Sequence, residues 1–310
     1  MTPIGEMLLG YAENTAVVLP VALITLWLLR TRWLAHIQPP PDGTHSPWWR
    51  QLLFGAGVAA LALALTVLPA LLLGGYNQTT DWQAFKYSAT SPGLSPALSI
   101  SALFAIQSLL EEAVFRGIGQ ALLAMLLLWI AELLFIEPES RRFSSRVAPQ
   151  PEPPALQRWR LRAWVCCGLL ANVVLAAAFG AMHDHNPHFT WVAGANIVLA
   201  GLWLGLLFWQ RASLLAAWGA HFAWNTGQAL LGLPISGMAL IAAPLGAGLT
   251  GARDGLLTGG QFGPEASLPC MIVWLLLTLL LLWQMLRSLR QLQVGLTESE
   301  ATVSGSDTAA

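Results

Sequence analysis

Charge is what this chain has least of. Only 10% of its 310 residues are Asp, Glu, Lys or Arg, against about 25% in an average soluble domain, so an ordinary soluble protein is excluded. Neither sign is in surplus. A formal net charge of −1 leaves no basic field, which excludes a nucleic-acid partner. Cysteine is scarce too: Cys166, Cys167 and Cys270 are an odd set, two of them adjacent, with no zinc-ribbon or haem spacing. No disulfide framework follows, and they read as thiols filling a membrane core. There is no His-Glu-x-x-His helix, no Gly-x-Ser-x-Gly elbow and no repeat period. The first apolar run ends at Leu29-Arg30 without a small-residue cleavage site, so it is expected to stay in place as a helix.

What remains is apolar. Hydrophobic residues make up 55% of the chain and mean hydropathy is +0.60, the composition of an all-α, polytopic transmembrane helical bundle. Apolar runs cover Met7–Leu29, Gln51–Leu73, Leu98–Phe135, Ala163–Met182, Trp191–Trp209, Ser213–Leu231 and Leu268–Leu286. The third would be about 57 Å long as one helix, well beyond a hydrocarbon core of about 30 Å. It is either one tilted, projecting helix or broken near Gly117-Ile118-Gly119. The piece Leu233–Leu249 is Gly-rich, carries Pro234 and Pro244, and reads as re-entrant.

Arginines cluster in Arg30–Arg50, Glu137–Arg162, Gln210-Arg211 and Arg287–Arg290, which puts these four stretches on the cytosolic side and the N-terminus outside. That topology has seven spans, or eight if Leu233–Leu249 crosses or the long run breaks. Trp33, Trp48 and Trp49 read as an interfacial belt. Residues 1–293 are expected to form a single integral membrane domain, and 294–310, rich in Ser, Thr, Gly and Ala, a disordered tail. The expected partners are the lipid bilayer and a substrate at its surface.

Into this background the stretch Leu109-Leu110-Glu111-Glu112-Ala113-Val114-Phe115-Arg116 puts three formal charges. Each costs about 2.5–3.5 kcal/mol on insertion scales, so each needs a partner or a task. Glu112 and Arg116, four apart on a helix, can pair. Glu111 lies about 100° round and can point elsewhere. Two later apolar segments carry polar groups: Phe179-Gly180-Ala181-Met182-His183, followed by Asp184, His185 and His188, and His221-Phe222-Ala223-Trp224-Asn225. His221 and Asn225 share a helical face, and Phe179 lies one turn before His183. A carboxylate, two imidazoles and an amide meeting in one cavity suit amide hydrolysis by activated water. The same donors could hold a divalent metal with an open position.

The three motifs, Glu-Glu-x-x-x-Arg, Phe-x-x-x-His and His-x-x-x-Asn, each once and in this order, resemble those of the CPBP intramembrane proteases, which include the type II CAAX prenyl proteases. The resemblance covers about Leu98 to Leu231. It implies that Glu111 and His183 activate water, that His221 and Asn225 hold the oxyanion or position the carbonyl, and that Glu112 and Arg116 support the site. It leaves the cofactor unknown: either none, with a glutamate mechanism, or zinc held by Glu111, His183 and His221. It implies an integral protein of a bacterial inner (cell) membrane that cleaves a lipidated, sorting-signal or other membrane-associated peptide. The charge-based topology puts His183 near the outer face, whereas prenyl-protein processing needs cytosolic access. The alternatives are a proton-coupled transporter using the same groups as a relay, or a non-catalytic maturation or immunity factor. For Glu111, Glu112 and Arg116 the bland reading is an ion-pair cluster fixing helix register, for His221 and Asn225 interhelical glue, and for His185 and His188 solvated loop histidines.

Overall fold

The computed structural model describes residues 3–32, 47–79, 96–136, 153–238, 248–251 and 255–307. The chain forms α1 (Pro3–Arg32), α2 (Trp48–Leu72), β1 (Tyr76–Thr79), α3 (Pro96–Glu112), a π-helical segment (Ala113–Gln120), α4 (Ala121–Phe135), α5 (Pro154–Ala181), α6 (Trp191–Arg211), α7 (Leu214–Leu230), β2 (Gly248–Gly251), the short α8 (Gly255–Thr258), a 3-10 turn (Pro264–Ala266) and α9 (Leu268–Asp307). Among the described residues, six helices are long and apolar enough to cross a membrane. The 17-residue α7 packs among them. The protein is an all-α integral membrane bundle.

The long apolar run is unbroken. α3, the π segment and α4 form one helix, and Gly117-Ile118-Gly119 lie inside the π segment instead of at a break. Turn chemistry sets the other boundaries. Pro154 opens α5 at a position where its missing N–H costs nothing, and the Thr190 hydroxyl caps α6 by accepting from Ala193 N at 3.1 Å. Ala212, left-handed at φ 47°, ends α6, so only Ala212-Ser213 separates it from α7. A connection that short makes the two helices antiparallel neighbours.

Between helices in lipid there is no hydrophobic drive to associate, and small residues let backbones approach. α2 and α7 pack this way. A Cβ on Gly55 would lie 1.9 Å from the Ala216 carbonyl oxygen, and one on Gly219 would lie 2.4 Å from that of Leu52. The main core joins α2, α6, α7 and α9 through Leu63, Val67, Trp203, Leu207, Trp224 and Trp274. α1 lies against α3 and the π segment, with Met7 and Tyr11 beside Leu103 and Ala22 beside Gly117. It therefore runs parallel to the long helix.

β1 and β2 pair antiparallel, Tyr76 opposite Gly251 and Thr79 opposite Gly248, tying the α2–α3 connection to the segment after α7. Both lie at one end of the bundle. At the other end lie Arg50, Arg158, Arg160, Arg162, Arg211, Arg287 and Arg290, with Arg160 on Glu132 at 3.2 Å and Arg211 3.9 Å over the Phe54 ring. After α7 the chain makes a tight turn, with a bridge between Ile235 and Met238, and not a helix. Its residues 239–247 lie outside the described residues, as do Trp33, Pro39-Pro40-Pro41 and Arg141, Arg142 and Arg146. α9 stays helical to Asp307, into the stretch whose composition predicts an unstructured tail. Extending an existing helix adds a hydrogen bond per residue fixed, without a new nucleus.

Gly219→Val should overpack the α2–α7 contact, lowering stability by about 1–3 kcal/mol. Gly57→Ala, whose Cβ would meet nothing within 4 Å, should change little. Thermal unfolding of both variants in the same detergent checks the contrast.

Candidate functional site

The two adjacent glutamates have different fates. Glu112 has no exposed surface. Its Oε1 accepts from Arg116 Nη1 at 3.0 Å and from His221 Nδ1 at 2.9 Å. Arg116 then donates Nη2 to the Gly201 carbonyl at 3.1 Å, and Gln120 donates to that of Gly205 at 3.2 Å. Glycines at 201 and 205 leave these α6 carbonyls within reach of side chains. Glu111, 24% exposed, faces a cavity instead. Its Oε1 takes the Gln107 amide, and its Oε2 has no hydrogen-bond partner.

The cavity is about 310 Å³. Glu111, His183, His221 and Asn225 all line it, with Gln107, Tyr11 and Met7 on one side and Asn196, Trp203 and Glu265 on another. Each imidazole is oriented by its Nδ1. That of His221 sits on the Glu112 carboxylate, and that of His183 on the Phe179 carbonyl at 2.7 Å. A carbonyl or carboxylate partner requires Nδ1–H, which leaves Nε2 of both rings to act at the cavity. The His221 Nε2 stands 3.7 Å from Glu111 Oε2. Asn225 donates one N–H to Gln107 Oε1 at 3.2 Å, leaving its second N–H.

Phe179 joins these parts. Its ring meets His183 at 4.8 Å, Phe115 at 5.0 Å and His221 at 6.0 Å, with the Arg116 guanidinium 4.9 Å over it. The buried guanidinium thus rests on a π face on one side and a carboxylate on the other.

Every sequence-derived site residue is found here: Glu112, Arg116 and His221 in one bonded cluster, Glu111 beside it, and His183 and Asn225 on the cavity wall. His185 is elsewhere, paired with Asp184 at 2.6 Å on a 92% exposed side chain, and His188 is exposed, so both are loop histidines. Among the described residues, no three His, Cys, Asp or Glu side chains gather to hold a metal ion. The set Glu111, His183 and His221 therefore does not fit a zinc site as arranged. The motifs did not reveal Gln107, Asn196 or Glu265. Gln107 carried the best signal, a polar residue one turn before Glu111 in an apolar run.

Residues 93–227 match the family model described as type II CAAX prenyl endopeptidase Rce1-like. The match spans all three motifs and bears out the resemblance over that segment. No curated protein and no solved structure matches the chain.

Arg116→Met would strand the buried Glu112 carboxylate, and should cost about 3–5 kcal/mol of stability. The double variant Glu112→Gln with Arg116→Met should recover part of that loss. Denaturant unfolding of the two single variants and the double checks the coupling.

Proposed function

We propose that the chain is an intramembrane endopeptidase that hydrolyses a peptide bond of a membrane-associated substrate with water activated by Glu111 and His183. The carrying observation is Glu111 on the wall of a cavity that His183, His221 and Asn225 also line, with its Oε2 free of any hydrogen bond and 3.7 Å from His221 Nε2. The match to an Rce1-like endopeptidase model supports the same reaction class.

In this reading, Glu111 Oε2 takes a proton from water as the water oxygen attacks the carbonyl carbon. The carbonyl oxygen becomes an oxyanion. The free N–H of Asn225 and, in its imidazolium form, Nε2–H of His221 donate to it. Glu112 holds the other end of that imidazolium, so the charge is met on both nitrogens. Collapse breaks the C–N bond, and the proton held on Glu111 or passed to His183 Nε2 goes to the leaving amine. The products are a carboxylic acid and an amine, and transfer of the acid proton to the amine leaves a carboxylate and an ammonium.

Among the described residues, Arg50, Arg158, Arg160, Arg162, Arg211, Arg287 and Arg290 sit at the end of the bundle away from the turn Ile235–Met238, which lines the cavity. By the positive-inside bias the cavity then opens toward the extracytoplasmic face, which favours a sorting or leader peptide over a cytosolic prenylated tail.

With a peptide library and protein in detergent, Glu111→Gln should lower kcat/KM by about 10²–10⁴, and Asn225→Ala by about 10²–10³ through kcat. Cleavage that survives a chelator fits the glutamate reading. Unchanged cleavage by Glu111→Gln would end it.

A further inference from the structure

Away from Glu111 the same cavity has a second polar face, centred on a glutamate that lies outside the segment carrying the family match. Glu265, on the 3-10 turn before α9, is 7% exposed and lines the cavity. Its Oε1 accepts from Trp224 Nε1 at 3.0 Å and Gln228 Nε2 at 3.1 Å. Its Oε2 accepts from Ser236 N at 2.8 Å and Ser236 Oγ at 2.7 Å. All four donors are neutral, and no ion pair with a basic side chain reaches it among the described residues. These bonds tie down the turn at Ser236, whose φ of 48° is left-handed, but a neutral acceptor could do part of that work. They use the lone pairs of the carboxylate without neutralising it.

Beside it lies Asn196, 1% exposed and also on the cavity wall. Both N–H groups of its amide are spent, on the carbonyls of Glu265 at 2.8 Å and Ser267 at 2.9 Å. The amide is thereby fixed with its Oδ1 turned the other way, a buried acceptor with no partner. Three indoles share this part of the wall: Trp274 stands 5.1 Å from Trp203 and 4.7 Å from Trp224, with the rings fanned at 36° and 54°. A fixed negative charge, an unused acceptor and aromatic faces are together complementary to an organic cation with an N–H to give.

The geometry points to a specificity subsite, formed by Glu265, Asn196 and the tryptophans Trp203, Trp224 and Trp274, that takes a lysine or arginine side chain of the substrate. The alkyl stem lies along the indoles, the cationic head donates to Asn196 Oδ1, and Glu265 supplies the opposing charge. A free carboxylate at this position would face only acceptors and a like charge. This subsite rests on the peptidase reading for its substrate class, while its own test is binding.

The test uses the full chain in detergent carrying Glu111→Gln, so that no peptide turns over. Fluorescent acylated peptides, each with lysine, norleucine or glutamate at one scanned position, are followed by anisotropy. At one position lysine should bind about tenfold or more tighter than norleucine, with glutamate weaker still. Adding Glu265→Gln should bring the lysine-to-norleucine ratio toward one. Absence of a lysine preference at every position overturns the proposal, and this arm needs no Glu265 variant to fold. A folded Glu265→Gln protein that keeps the preference overturns it as well. Wild-type cleavage of the same peptides separates the two readings. Lysine-selective binding without cleavage would sink the peptidase and leave the subsite, whereas cleavage without lysine selectivity would sink the subsite alone.

Discussion

One carboxylate at the centre of the bundle organises the rest. Glu112 is wholly buried, and on a single oxygen it gathers the guanidinium of Arg116, from its own helix, and the imidazole of His221, from α7. Arg116 carries the tie on to α6 through the Gly201 carbonyl. Three helices are thus registered by groups that would be costly to leave unpaired in lipid. Removing any one strands the others, which is why a site of this kind can be held to a fixed geometry by few bonds.

The close backbone contacts serve the same end. α7 can deliver His221 and Asn225 to the cavity because Gly219 meets Leu52 and Gly55 meets Ala216, with no side chain between. Packing sets how near the helix comes, and the polar cluster sets its rotation. Neither alone would fix both.

Much of this was legible in the sequence because the signal was contrast. Glu111, Glu112, Arg116, His183, His221 and Asn225 stand out where nearly every neighbour is apolar, and the i,i+4 spacing alone foretold the Glu112–Arg116 pair. The bundle class followed from the same apolar runs. Glu265 gave no contrast, since a glutamate in a Gly- and Pro-rich loop looks solvated, and its burial depends on Trp224, Gln228 and Ser236, all distant in sequence. Asn196 looked like one amide in a helix. The β ribbon rests on strands of four residues whose pairing joins segments more than a hundred and sixty positions apart. The continuity of the long helix was ambiguous for a physical reason: paired glycines around Ile118 suit a break and a widened turn alike.

That widened turn has its own consequence. α-helical residues advance by about 100° each, and a stretch closed by i→i+5 bonds accommodates more chain per turn than its neighbours. The helix from Pro96 to Phe135 is therefore one rod with two phases. The first half is phased to present Gln107 and Glu111 to the cavity. The second is phased to lay Glu132 against Arg160. An even α-helix over the same eight residues would swing one half about 100° out of step with the other, whereas loss of a single residue with return to α-helix would leave the two halves near their present phase. The two faces are thus kept in step by the widened turn itself, through the angle it sets between them.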